Sequence, residues 1–88
     1  MIRIGICDDS REDIKKLQEY AEWFSGEHTE IPLKTEAFTS PYDLLQAISE
    51  HGGYDLYLLD VIMPHLSGID IARKVRERGE TAEILFLT

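Results

Sequence analysis

Side chains that could do chemistry follow three apolar segments of the sequence, at the point where each segment ends. They are three carboxylates and one hydroxyl: Asp8, Asp9, Asp60 and Thr88. Two unit charges ~4 Å apart repel by about 4 kcal/mol at an effective dielectric constant of about 20, so clustered carboxylates raise each other's pKa or hold a cation. Oxygen ligands at a wet cleft suit Mg²⁺. A carboxylate nucleophile, a divalent cation and a hydroxyl together predict a site for a phosphoryl group.

Asp60 follows a segment, Leu56–Leu59, in which apolar residues do not alternate with polar ones. Such a run predicts a strand buried on both faces, as in the centre of a parallel sheet. Pro64 prevents a regular continuation, so we expect Asp60 at the carboxyl end of this strand, where ligands bind in open parallel sheets. Taken alone, Asp60 is better explained as the first residue of a loop. Because other acids are expected at the same edge of the sheet, a chemical role for Asp60 is favoured instead.

The first acidic pair stands between a predicted strand and a predicted helix. Alternating isoleucines in the opening residues favour a strand. Ser10 then suits a helix N-cap, with Asp13 as its capping-box partner, and the acidic pair itself would also suit this helix end. The helix is expected to stop at Gly26. Its apolar stripe faces the core; Tyr20 and Trp23 lie off that stripe and are expected to cover the edge of the core rather than to face a partner.

The remaining elements continue the alternation of strands and helices. Ile31–Phe38 alternates and carries charges, as an edge strand does. Ser40 and Ser67 suit the N-caps of two further helices, and Ile84–Leu87 is a fourth apolar strand, within which Thr88 could be an ordinary end residue. The order βαβαβαβ predicts an α/β fold, a doubly wound parallel sheet with helices on both faces. The whole chain, residues 1–88, is expected to form one domain.

Composition excludes several classes of function. The 17 acidic residues give a formal net charge of -8, which argues against direct nucleic-acid binding by this segment. No apolar run reaches the ~20 residues of a membrane span, and no signal segment begins the chain, so we expect a cytoplasmic protein without a membrane partner. The single cysteine, Cys7, excludes an intrachain disulfide framework.

Four pieces of the sequence match one known family in order and spacing: Ile6–Ser10, Leu58–Pro64, Ser67–Gly68 and Ile84–Thr88. On these residues the chain resembles the receiver domain of two-component response regulators, which has a flavodoxin-like (CheY-like) fold. The resemblance covers the whole chain. It implies a phospho-accepting signalling domain and not an enzyme in the usual sense, since such a domain catalyses phosphotransfer only to its own aspartate.

The resemblance also implies a role for each candidate residue. Asp60 would accept a phosphoryl group from the histidine of a sensor histidine kinase. Asp9 and Asp60 would bind Mg²⁺ with the backbone carbonyl of Ile62 as a third ligand, while Asp8 would act largely through water. Thr88 would be the switch hydroxyl that turns toward the phosphoryl group.

The sequence departs from the family at its carboxyl end. The family has a fifth strand flanked by two more helices, and its conserved lysine and switch aromatic have no counterpart here. The chain is therefore expected to be a receiver domain truncated after the fourth strand, with impaired phosphorylation. Ile84–Leu87 would then be an uncovered apolar edge and would favour self-association through the fourth strand or the exposed sheet face. The opening residues and Phe86–Thr88 also resemble regulators that carry a LytTR-type DNA-binding domain.

Two other functions remain open from the residues. An aspartate-dependent phosphohydrolase also places a nucleophilic aspartate at a strand end, but it has a second acid two residues later, where this chain has Ile62. A protein-interaction module that keeps the fold without being phosphorylated is the other alternative.

Overall fold

A computed structural model describes residues 1–87; Thr88, to which the resemblance assigns the switch hydroxyl, lies outside the described residues. Seven elements alternate along the chain. They are β1 (Ile2–Cys7), α1 (Arg11–Glu27), β2 (Leu33–Phe38), α2 (Pro41–His51), β3 (Leu56–Asp60), α3 (Gly68–Glu77) and β4 (Glu83–Leu87). No helix among residues 1–87 is long and apolar enough to cross a membrane.

The four strands form one parallel sheet in the order β2-β1-β3-β4. This confirms the predicted α/β fold with a parallel sheet, and it confirms β2 as an edge strand. The register sets Cys7 beside Leu59, so the residues that follow β1 emerge next to the end of β3. The sheet order therefore delivers the first acidic pair and Asp60 to neighbouring positions at the carboxyl edge.

Helices cover both faces of the sheet, and each face has its own apolar core. On one face α2 and α3 pack on the sheet around Leu44, Ile48, Tyr57 and Val75, all fully buried. On the other face α1 packs through Ile14 against buried isoleucines of β1. Burial of large apolar side chains of this kind contributes about 1.5–3 kcal/mol for each one.

The prediction that β3 is buried on both faces is half wrong. Tyr57 and Leu59 are fully buried under α2 and α3, but Leu56 and Leu58 on the opposite face are only partly buried. The reason is the position of α1, whose contacts with the sheet centre on β1 and β2. Among residues 1–87 no helix covers the β3–β4 half of that face, and Leu85 on β4 is 56% exposed.

Two further predictions, both on α1, are wrong. Tyr20 and Trp23 do not cover the edge of the core, because their side chains are 72% and 64% exposed. The helix does not stop at Gly26 but runs to Glu27, with His28 as its C-cap. A glycine favours a helix end only when the backbone takes a left-handed conformation, and Gly26 stays within the helix.

The predicted N-caps are confirmed at all three helices. Ser10, Ser40 and Ser67 accept hydrogen bonds from backbone N–H groups in the first turns of α1, α2 and α3. Ser67 also forms a reciprocal capping box with Asp70. The capping box predicted at α1 is incomplete, because the backbone N–H of Ser10 donates to Asp8 instead of to Asp13.

Candidate functional site

Three carboxylates converge at the carboxyl edge of the sheet. One side-chain oxygen from each of Asp8, Asp9 and Asp60 lies within 4.8 Å of the other two. They come from segments about 50 residues apart in sequence, joined only because β1 and β3 are neighbouring parallel strands. The structure thus brings together the three acids that the sequence analysis selected.

Asp8 is the buried member of the group, with 4% of its surface exposed. Its backbone N–H donates to the carbonyl of Phe38 at 3.1 Å, and its Oδ1 accepts from the N–H of Ser10 at 2.9 Å. Burial raises the pKa of the Asp8 carboxyl, the Ser10 hydrogen bond opposes this, and repulsion from the Asp60 carboxylate adds to the rise. The Asp8 side chain therefore has a fixed position on the buried side of the site.

Asp60 is held from both its backbone and its side chain. The next residue, Val61, donates its N–H to the carbonyl of Leu87 at 3.2 Å, which ties the end of β3 to β4. The Asp60 Oδ1 accepts from the N–H of Ile62 at 3.1 Å. This bond leaves the second carboxylate oxygen for other partners. The Ile62 side chain is 80% exposed, so this loop residue borders the site on its solvent side.

Gly68 explains how α3 can begin against the end of β3. A Cβ atom at this position would collide with the backbone carbonyl oxygen of Asp60 and would lie 3.1 Å from the Cβ of Leu59. Only glycine allows the first turn of α3 to approach the Asp60 backbone this closely. Gly68 therefore fixes the position of α3 against the end of β3.

The loop between β3 and α3 is anchored by a sulfur contact that the sequence analysis missed. The buried Cys7 thiol donates to the sulfur of Met63 at 3.8 Å. Burial, with repulsion from Asp8 and Asp60, raises the pKa of the Cys7 thiol to about 12, so it stays protonated and able to donate. A cysteine at a strand end and a methionine in a distant loop give no pairing signal in sequence.

The donor set fits a hard divalent cation. An Mg²⁺ ion binds oxygen ligands at ~2.0–2.1 Å in octahedral geometry, so two of its ligands are about 2.9 Å apart when adjacent and about 4.2 Å apart when opposite. Oxygens that lie within 4.8 Å of one another are close enough for side-chain rotation to bring them into such a shell. Asp9 is exposed and can make that adjustment, whereas Asp8 is buried.

No acid stands two residues after Asp60, where the phosphohydrolase class needs one. That position is Ile62, whose exposed apolar side chain can neither donate nor accept a proton. The position two residues after Asp60 therefore does not supply the general acid of that enzyme class.

Comparison with known proteins identifies relatives along the whole chain. The sequence profile of the response regulator receiver domain family matches residues 4–88. The chain is similar to the transcriptional regulatory proteins PcoR of Escherichia coli (35% identity over 88 residues) and NatR of Bacillus subtilis (28% over 88 residues). Each alignment covers 100% of this chain and 35% of the relative, so the chain spans about a third of their length.

Solved structures show the same fold. The BeF3-activated receiver domain of DrrB superposes with a TM-score of 0.79 at 24% identity, covering 100% of this chain and 66% of that one. The response regulator TrrA of Thermotoga maritima, solved in complex with Mg²⁺-BeF, gives a TM-score of 0.68 at 28% identity. That comparison covers 100% of this chain and 70% of TrrA.

Proposed function

Because the chain belongs to the response regulator receiver domain family, we propose that Asp60 accepts a phosphoryl group from the phosphohistidine of a sensor histidine kinase. The observation that carries this proposal is the convergence of Asp8 and Asp9 with Asp60 at the carboxyl edge of the sheet. A lone strand-end aspartate would not distinguish a phosphoacceptor from a loop residue. Two further carboxylates beside it supply the ligands that phosphoryl chemistry requires.

In the proposed transfer, a carboxylate oxygen of Asp60 attacks the phosphorus of the phosphohistidine. A phosphorus–oxygen bond forms, the phosphorus–nitrogen bond breaks, and the released imidazole nitrogen takes a proton. The Ile62 N–H holds Oδ1 of Asp60 at 3.1 Å, which leaves Oδ2 as the attacking atom. The close approach of Gly68 holds the Asp60 backbone in place, which supports the orientation that a nucleophile needs.

We propose that Mg²⁺ is the cofactor, held by Asp9 and Asp60 directly, by the backbone carbonyl of Ile62, and by Asp8 largely through water. When bound, the cation neutralises charge on the phosphoryl oxygens. The burial of Asp8 supports its indirect role, because its Oδ1 already accepts from Ser10 and its side chain has little freedom to move.

Thr88 is proposed as the switch hydroxyl, from its position directly after β4 in sequence. Phosphotransfer to Asp60 is proposed as self-catalysed by the domain and located in the cytoplasm.

We also infer that residues 1–88, studied by themselves, self-associate through β4 or through the open sheet face. Among residues 1–87, β4 forms one edge of the sheet, and Leu85 and Phe86, on its two faces, are exposed. Edge strands with exposed apolar residues pair with other chains. Direct binding of nucleic acid by this segment is not proposed, because its net charge of -8 opposes it.

The phosphoacceptor is tested by mapping the modified residue. The chain is incubated with a small phosphodonor with and without Mg²⁺, the acyl phosphate is reduced with borohydride, and peptides are identified by mass spectrometry. The modification is expected at Asp60, only with Mg²⁺, and not in Asp60→Asn. Its absence from the chain under all these conditions would favour an interaction module that is not phosphorylated.

A further inference from the structure

The loop between β3 and α3 carries a thioether close to the acidic site. Met63 follows Asp60 in this loop, and its side chain is partly exposed and partly packed against the apolar core under α2 and α3. Its sulfur lies 3.8 Å from the sulfur of Cys7, the last residue of β1. Because β1 and β4 flank β3 on opposite sides, the contact is made on the side away from β4. It joins the residue before the acidic pair to the loop after Asp60.

This sulfur contact ties the middle of the loop to a neighbouring strand. Among residues 1–87, the other hydrogen bonds that residues 62–66 donate are local: the Ile62 N–H donates to the Asp60 carboxylate, and a second bond spans two residues within the loop. The contact between the two sulfur atoms is the one that reaches β1. A change that breaks it therefore loosens the loop that holds the backbone of Ile62 beside Asp60.

A thioether that solvent can reach is open to two-electron oxidation. Methionine is converted to its sulfoxide by common oxidants, and reductases reverse the change. Cys7 is fully buried, so an oxidant in solution reaches the sulfur of Met63 before that of Cys7. The other methionine, Met1, is 76% exposed, but it precedes β1 and so lies at the opposite end of that strand from the acids. Met63 is therefore the methionine whose oxidation would affect the site.

We propose that Met63 is a reversible oxidation site through which a peroxide releases the β3–α3 loop and lowers the affinity of the acidic site for Mg²⁺. One peroxide oxygen bonds to the sulfur of Met63, the oxygen–oxygen bond breaks, and the other oxygen leaves as water with both hydrogens. The sulfur loses two electrons and becomes a sulfoxide, and the peroxide is reduced. The effect on Mg²⁺ rests on the proposed function, whereas the oxidation and the release of the loop do not.

A sulfoxide does not suit the position that the thioether occupies. It adds a polar oxygen to a side chain that packs on an apolar core, and burial of an unpaired polar group is unfavourable. The neighbouring Cys7 thiol is only a weak hydrogen-bond donor, so it compensates for little of this penalty. The oxidised side chain is therefore expected to turn toward solvent, which breaks the contact with Cys7 and releases the loop. Disturbing the groups around metal ligands lowers metal affinity by ~10–100-fold, and about tenfold is expected here.

The oxidation and the release of the loop are tested first without Mg²⁺, on ¹⁵N-labelled chain treated with hydrogen peroxide. Fragmentation of the intact chain by mass spectrometry gives the extent of oxidation at each of the two methionines. Oxidation of Met1 is expected to leave the loop resonances in place, whereas oxidation of Met63 is expected to shift the amides of Cys7 and of residues 61–67. Oxidised Met63 with an unchanged loop would overturn the inference. Oxidation of Cys7 before Met63, or of Met63 only after the chain unfolds, would overturn it too.

Titration of the same samples with Mg²⁺ tests the link to the acidic site. The dissociation constant is expected to rise about tenfold as Met63 is oxidised, and to return after treatment with methionine sulfoxide reductases and a thiol. An unchanged constant in chain oxidised at Met63 would contradict this link. Untreated chain that binds no Mg²⁺ would refute the proposed function and with it the effect on metal affinity. The metal-free resonances would then still decide whether oxidation of Met63 releases the loop.

Two substitutions at Met63 separate its oxidation from other effects of peroxide. Met63→Leu has an apolar side chain without sulfur, so peroxide is expected to leave its loop resonances and its Mg²⁺ dissociation constant unchanged. A loss of Mg²⁺ affinity in peroxide-treated Met63→Leu would assign the effect to another residue and refute the role of Met63. Met63→Gln places a polar group at this position and is expected to reproduce, without peroxide, the loop shifts of the oxidised chain. A Met63→Gln variant with the loop resonances of the untreated chain would also contradict the proposal.

Discussion

Replacing Asp60 by asparagine is expected to stabilise the metal-free chain, although Asp60 is the proposed phosphoacceptor. Asparagine has nearly the same shape, and its carbonyl oxygen can still accept from the Ile62 N–H. What it removes is one of three negative charges whose oxygens lie within 4.8 Å of one another. The repulsion among these charges destabilises the fold, and removing one functional carboxylate reduces it.

The magnitude follows from the distance. Two unit charges 4.8 Å apart repel by about 1 kcal/mol at the dielectric constant of water and by about 3.5 kcal/mol at an effective value of about 20. Asp60 itself is only partly buried, so solvent screens its repulsion from both Asp8 and Asp9, and the lower figure is used for each of these two pairs. The gain is therefore about 1–2 kcal/mol, and each kcal/mol corresponds to ~4–8 °C in the melting temperature of a domain this size.

Thermal unfolding with a chelator present, followed by circular dichroism, measures this gain. Added Mg²⁺ should then reverse the order, because an ion at tenfold excess over its dissociation constant stabilises the unmodified chain by about 1.4 kcal/mol and Asp60→Asn by much less. Asp43→Asn, an exposed carboxylate in the first turn of α2, is the control and should not raise the melting temperature. A lower melting temperature for metal-free Asp60→Asn would refute the reasoning.

Three further predictions concern the elements that hold the site. Gly68→Ala should cost about 1–3 kcal/mol in denaturant unfolding, since its Cβ would collide with the Asp60 carbonyl oxygen. Gly26→Ala, with nothing within 4 Å of the new Cβ, should instead stabilise α1 by about 0.5–1 kcal/mol, and a loss would show that α1 ends earlier than described. The hydrogen bond from Arg3 lowers the pKa of the Glu36 carboxyl below its ordinary 4.5. The contribution of this pair to the stability of the fold is therefore present above pH 4.5 and is lost as the pH falls through the lower pKa of the folded state. Glu36→Gln should therefore melt below the unmodified chain at neutral pH and converge with it in acid; a constant difference at all pH values would argue against the pair.

Much of the fold could be predicted because its signals are local. Serine caps at Ser10, Ser40 and Ser67 mark three helix starts, and the alternation of elements determines a parallel sheet with crossover helices. The acids at strand ends follow from the same pattern, since parallel strands share one carboxyl edge. The three acids that lie together at this edge could therefore be predicted from the sequence.

The features that could not be predicted depend on which helix or loop packs against which part of the sheet. Whether Leu58 is buried is decided by the lateral position of α1, and no residue within β3 encodes that position. The exposure of Tyr20 and Trp23 has the same origin: an aromatic residue off the apolar stripe is covered only if another element lies beside the helix. The contact between Cys7 and Met63 likewise depends on the path of a loop.

The central claim, that the three acids form an Mg²⁺-dependent phosphoryl site, is tested most directly by titration with beryllofluoride, which stands in for the phosphoryl group. Backbone amide resonances of the ¹⁵N-labelled chain are followed with and without Mg²⁺. The account predicts that the shifts centre on the amides of Asp9, Asp60, Val61 and Ile62, require Mg²⁺, and are absent in Asp60→Asn. Shifts that do not need Mg²⁺, or that persist in Asp60→Asn, would contradict it.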